Sequence, residues 1–202
     1  MTRERKSNRL QGYDYSSDNL YFVTSCVQNR ICCLGEIVMP GRDPALQNNR
    51  NDPVGPGRDL ALQNNDNASV WPGRDPAIPS SIPRMKLNHY GEIARNQWNW
   101  LSEQYRYVVL HAFIVMPNHI HGIIEINRSR IKSNPIKIKP LTELIGAYKT
   151  TVSKQIHLAG FIEFKWQRSF FEHIIHDEKS FETITEYIIN NPVNWKHDEF
   201  YN

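Results

Sequence analysis

The chain has 202 residues, 40% of them hydrophobic and 11% aromatic, which sets one domain with a real core as the working count. A net charge of +3 permits an acidic partner without arguing for one. Three cysteines, Cys26, Cys32 and Cys33, make neither an even disulfide framework nor a spaced metal pair, and no stretch approaches the ~20 apolar residues of a membrane span, so a soluble intracellular protein with no membrane partner is expected.

The first element, Leu20 to Ile31, is β-branched and aromatic with partial alternation, and predicts a strand. From Pro40 to Pro79 the chain repeats itself with a period of 16 residues: Pro40-Gly41-Arg42-Asp43 returns as Pro56-Gly57-Arg58-Asp59 and as Pro72-Gly73-Arg74-Asp75. Each unit is rich in Pro, Gly, Asn and Asp and has only two or three small apolar side chains to bury, so a disordered or loose loop is expected rather than a solenoid. The domain is therefore read as residues 1–202, interrupted by a low-complexity insert at 39–84. The short segments Glu36–Val38 and Met85–Leu87 flank it like the arms of a hairpin, and an exposed tip tolerates insertion best.

Ile93, Trp98, Leu101 and Tyr105 give Tyr90–Tyr105 the spacing of an amphipathic helix. Tyr107–Val115 and His119–Ile126 are apolar strands separated by a Met116-Pro117-Asn118 turn. Leu144, Ile145, Tyr148, Val152 and Ile156 form one stripe of a helix over Leu141–Leu158. Lys165–Ile175 reads as a strand, and Glu178–Asn190 as a last helix ended by Pro192. The order predicts an α+β sandwich, a central antiparallel sheet with helices laid on it.

Charge is unevenly spread. Between Arg128 and Lys154 lie seven basic residues against Glu143 alone, whereas the tail from His176 leans acidic, with Asp198 and Glu199 near its end. Basic segments suit a phosphate backbone, although a solvated face explains such runs equally well.

The chemistry concentrates in Met116-Pro117-Asn118-His119-Ile120-His121. Residues two apart on a strand share a face, so His119 and His121 project together and make half of a metal site. By itself a His-x-His is more often two histidines satisfied on a sheet face. A catalytic cation also needs a third ligand and an open position. The last helix offers one: Tyr187 and Asn191 are four residues apart and share a helix face, though alone they read as a core aromatic and a helix cap.

The run FIVMPNHIHGII, followed by WQRSFFEHIIHDEKSFETITEYIINNP and preceded by RLQGYDYSSDNLYFVTSCVQNR, resembles the REP-associated tyrosine transposases, within the single-tyrosine HUH transposases of small insertion sequences. The resemblance covers most of the chain outside the insert. It implies a ferredoxin-like fold, with His119 and His121 as the histidine pair, Tyr187 as nucleophile and Asn191 as the amide completing a Mg²⁺ or Mn²⁺ site. It also implies cleavage of single-stranded or hairpin DNA through a 5′-phosphotyrosine, in the bacterial cytoplasm, by a homodimer or a monomer; in domesticated members the targets are repetitive extragenic palindromes.

Arg128, Arg130, Lys132, Lys149, Lys154, Trp166 and Arg168 are the expected DNA contacts. Trp166, Phe170 and Phe171 are candidates for stacking on bases, and His173 and His176 for further phosphate contacts. Tyr148 is a rival nucleophile, although its place on the apolar stripe favours packing. Two alternatives stay open. One is a non-catalytic single-stranded nucleic-acid-binding module; the other, a histidine-triad phosphoesterase, is weakened because Ile123 stands where the triad would continue.

Overall fold

Alternation along Asn19–Cys26 (β1) decides which side of the sheet each element covers. In a computed structural model, which describes residues 10, 12–39, 82–131 and 136–201, Tyr21 and Val23 enter one core and Phe22 a second core on the opposite face. The whole repeat segment, the basic N-terminal residues and Lys132 lie outside the described residues.

Chain order runs β1, Gly35–Val38 (β2), Arg84–Leu87 (β3), His89–Gln104 (α1), Val108–Val115 (β4), His119–Ile126 (β5), Leu141–Leu158 (α2), Phe171–Ile175 (β6) and Glu178–Asn194 (α3). The main sheet has the order β4-β5-β1-β6 with every neighbouring pair antiparallel, the arrangement of a ferredoxin-like split β-α-β sandwich. β2 and β3 form a separate antiparallel hairpin in which Val38 faces Arg84, so the insert leaves and re-enters at the hairpin's far end.

The face carrying α1 and α2 holds the larger core. Ile120, Ile124 and Ile126 of β5 meet Trp98 and Leu101 of α1 and Leu144, Tyr148 and Val152 of α2, all buried. Fully burying a side chain of this size is worth about 1.5–3 kcal/mol. Gly122 is the exception that lets Trp98 in: a Cβ there would lie 2.5 Å from Trp98 Cζ2, and the indole instead stacks on Phe113 at 4.5 Å. Asn88 begins α1 by accepting bonds from the backbone N–H groups of Tyr90 and Gly91. Asp177 does the same for α3 through Ser180.

On the other face α3 lays Phe181, Ile184 and Ile188 over Phe22, Ile123 and Ile175. This is the face to which His119 and His121 point, as their partners across the β1–β5 ladder, Cys26 and Thr24, require.

Three boundaries differ from the sequence reading. β1 ends at Cys26, where the chain enters a tight turn over Gln28–Arg30. Of the predicted strand Lys165–Ile175 only Phe171–Ile175 joins the sheet; Trp166 makes a single bridge to Val27, because β1 has already turned away from it. Helix α3 runs through Pro192 to Asn194, with Ile188, Asn191 and Pro192 buried, so packing outweighs the hydrogen bond that proline removes.

Candidate active site

His119 and His121 leave the same face of β5 with their Nε2 atoms 2.9 Å apart. Both are held from behind. Asn118 donates its amide N–H groups to the carbonyls of Arg30 (3.1 Å) and Phe200 (2.8 Å), so its oxygen is the acceptor that faces His119 Nδ1 at 2.8 Å. His119 Nδ1 therefore carries the proton, and its Nε2 presents a lone pair. His121 Nδ1 meets the Thr24 hydroxyl at 2.8 Å, which can accept the same kind of proton.

Two groups complete the cluster from the C-terminal side. Asp198 brings a carboxylate oxygen to 4.0 Å from His119 Nε2, and the ligating atoms of His119, His121 and Asp198 all lie within 4.8 Å of one another. Asn191, expected as the third ligand, stands beside Asp198, its Nδ2 donating to the carboxylate at 3.0 Å. Its Oδ1 is buried without a hydrogen-bond partner among the described residues, a cost that a cation or water within reach would relieve. Cis ligands ~2.1 Å from an octahedral ion are ~3 Å apart, so the Nε2 spacing and the nearby carboxylate fit a divalent cation.

Tyr187 comes from α3 with its hydroxyl 3.3 Å from His121 Nε2 and its ring edge-on to the imidazole at 5.2 Å. It is 43% exposed whereas His119 and His121 are 0% and 1% exposed, so the phenol stands at the mouth of the site and the imidazoles at its floor. Phe200 closes the rest, with ring centroids 4.7 Å from His119 and 6.0 Å from His121.

Burial, reinforced by the nearby Arg30 charge, lowers the His119 pKa to about 3. Burial and the neighbouring His119 push His121 well down, against the opposing pull of Asp198. Both rings are therefore neutral at pH 7, the state a metal ligand requires. Burial and then Asp198 push Tyr187 up to about 12, with the Asn191 amide pulling the other way, so its hydroxyl is protonated at neutral pH.

Tyr148, the rival nucleophile, is fully buried and donates to the Ala94 carbonyl, far up the apolar stripe of α2. Burial raises its pKa.

The expected DNA contacts divide into two places. Lys149, Lys154, Trp166 and Arg168 line an open groove of about 740 Å³ between α2 and the segment before β6, together with Lys165 and His157. Within it Lys149 is drawn inward, its ammonium on the carbonyls of Gln167, Arg168 and Ser169, and burial lowers its pKa to about 8. Trp166 is only 8% exposed and lies under the groove as a wall. Arg128 and Arg130 sit at the other end of the sheet, where Arg128 approaches Asp18 at 3.5 Å and donates to the Ser16 carbonyl. Phe171 is exposed and Phe170 is partly buried against the main core, while His173 and His176 are exposed.

Asp198, Asn118 and Arg30 were not singled out from the sequence. Asn118 was legible as the residue abutting the histidines, and Asp198 only as part of an acidic tail. Nothing in the sequence brings Arg30 near His119.

No family model matches the chain. A protein of Haemophilus influenzae (strain ATCC 51907 / DSM 11121 / KW20 / Rd), described as uncharacterized, is 28% identical over 210 aligned positions, covering 98% of this chain and 93% of that protein. Among solved structures, that of a REP-associated tyrosine transposase bound to a REP hairpin aligns over 95% of this chain and 74% of its own, with a TM-score of 0.49 and 16% identity. A candidate transposase from Deinococcus radiodurans R1 aligns over 91% of this chain and 97% of its own, with a TM-score of 0.39 and 13% identity.

Proposed function

We propose that this protein is a divalent-metal-dependent endonuclease and strand transferase acting on single-stranded, hairpin-bearing DNA, with Tyr187 as nucleophile. The observation that carries this reading is convergence: one partly exposed phenol lies 3.3 Å from an imidazole whose partner imidazole and carboxylate fit a cation. The resemblance of the HIH and YIINN motifs to the HUH tyrosine transposases supports the choice of substrate.

In this scheme His119, His121 and Asp198 would hold Mg²⁺ or Mn²⁺, with Asn191 available as a further oxygen donor. Bound there, the cation would withdraw charge from a non-bridging phosphate oxygen and make phosphorus more electrophilic. Tyr187 Oη attacks phosphorus as the P–O3′ bond breaks; the phenol loses its proton and the leaving 3′-oxygen gains one. The products are a 5′-phosphotyrosine and a free 3′-OH. That ester conserves the bond for rejoining, which suits strand transfer better than hydrolysis. Asn118 and Thr24 keep both rings in the tautomer that leaves Nε2 free. The basic groove with Lys149, Lys154 and Arg168 holds the nucleic acid, and Trp166 shapes its floor.

The rival reading, a non-catalytic single-strand binder, is favoured by one feature, the Phe200 ring over the histidines. Labelled hairpin DNA incubated with the full chain and Mn²⁺ separates the two. The expected result is a denaturation-resistant protein–DNA adduct that needs the metal and falls by ~10³-fold or more, about 4 kcal/mol in barrier, in Tyr187→Phe. An adduct persisting in that variant would remove Tyr187. Binding with no adduct under any divalent metal would establish the rival.

A further inference from the structure

Arg30 and the residue before it, Asn29, have φ of 55° and 58°, two consecutive side-chain-bearing residues in the left-handed region. Such backbone costs energy and persists only where its surroundings impose it. Here Val27 N–H donates to the Asn118 carbonyl (2.8 Å), Gln28 N–H to that of Lys165 (2.8 Å), and the Asn118 amide to that of Arg30 (3.1 Å). The turn is thus pinned between the residue that orients His119 and the segment that walls the basic groove.

What the turn presents is a guanidinium. Arg30 is half-buried, lies over the Phe200 ring at 5.3 Å and gives one Nη1 bond to the Glu199 carbonyl. Among the described residues it makes no ion pair and leaves most of its five N–H donors unused. Arg30, Gln28, Asn29, Trp166, Gln167 and Arg168 line a groove of about 540 Å³. That groove shares Gln28, Trp166, Gln167 and Arg168 with the larger one that carries Lys154 and Lys165. Among the described residues no carboxylate lines either. The two grooves share one basic wall, and Arg30 at the edge of it is near enough for its charge to act on His119.

We propose that Arg30 is a phosphate-contacting residue: it binds the backbone phosphate of a single-stranded polynucleotide where the strand passes from that basic wall to the His119–His121 pair. The assignment rests on the reading of that pair given under the proposed function. A planar fork suits a phosphate diester, whose two non-bridging oxygens it can take together. The strained turn then has a use, since a relaxed one would aim the guanidinium elsewhere.

The test uses the full chain with Arg30→Ala, Arg30→Lys and Arg30→Gly, fluorescent hairpin single-stranded DNA, and Mn²⁺. Glycine relieves the left-handed backbone, so Arg30→Gly should melt no lower than the parent protein and guards against loss of fold. The expected outcome is a ~10-fold weaker DNA affinity in Arg30→Ala and Arg30→Gly, and a slope of log affinity against log salt shallower by about 1. Arg30→Lys should recover affinity only in part. The adduct rate at saturating DNA should fall further, with Mn²⁺ affinity no weaker than in the parent protein, since a neighbouring positive charge has been removed. Unchanged DNA affinity and salt slope in Arg30→Gly would overturn the proposal. So would parallel losses of melting temperature and Mn²⁺ affinity in Arg30→Ala and Phe200→Ala, which would mark Arg30 as an anchor for the C-terminal segment. If the parent protein forms no adduct at all, the strand-transfer reading falls, and Arg30 is still judged by its effect on affinity and salt slope.

Discussion

The two faces of the four-stranded sheet are built from the same strands and behave in opposite ways. One is almost wholly apolar: Tyr21, Val23, Ile120, Ile124 and Ile126 meet two amphipathic helices. The other places Thr24, His119, His121 and Asn191 in a space nearly as well buried and satisfies most of their polar atoms. The first face stores stability. The second buries polar groups whose satisfaction matters more, and among the described residues Asn191 Oδ1 is left there without a hydrogen-bond partner.

That contrast can be broken at either face. The largest expected effect on stability is at Gly122, where valine would collide with Trp98. Gly122→Val should cost about 3 kcal/mol in urea unfolding, whereas Tyr187→Phe, on the opposite face and 43% exposed, should shift stability by under ~0.5 kcal/mol. A well-folded Gly122→Val would mean that the indole has room the packing does not suggest.

Asp198→Asn comes next. It should weaken Mn²⁺ binding by ~10–100-fold in calorimetry and Asn191→Ala by less, if the carboxylate is the charged ligand and the amide its neighbour. The reverse order would restore Asn191 as the third ligand expected from the sequence.

Acid should act through the polar face. His119 has a folded pKa of about 3 against an ordinary 6.5, so the unfolded chain takes up its proton first. Its contribution to stability is complete above pH 6.5 and is lost as pH falls from there toward 3. Lowering pH from 7 to 5.5 should cost ~1 kcal/mol through this group, and less in His119→Gln. A pH-independent difference between the two proteins would place His119 in contact with water.

The smallest effect is reserved for the insert. Joining Met39 to Arg84 through a short turn should leave melting within a few degrees, because the hairpin pairs Val38 with Arg84 before the repeats begin. Loss of soluble protein would show that the repeats take part in folding.

Elements with a clean period were legible: the stripe Leu144–Tyr148–Val152 and the alternation of His119, Ile120 and His121 each land where their spacing puts them. Boundaries set by tertiary contact were not. Pro192 is a helix breaker in isolation, yet its buried neighbours carry α3 beyond it. Trp166 looks like a strand residue and becomes the wall of a groove because β1 turns away at Val27. Asp198 reaches the site only because the chain after α3 folds back across the sheet, and Arg30 only through two left-handed residues. Neither event leaves a period in the sequence.

The Asn118 amide couples these non-periodic parts. Its nitrogen faces two carbonyls and its oxygen faces an N–H, so the group has a direction: turned end for end, it would set three like poles against one another. Where the proton rides on His119 is therefore written in the path of the chain at Arg30 and Phe200. Lifting the chain at Phe200 would slacken that amide, so traffic at the mouth of the site would register in the basicity of the imidazole at its floor.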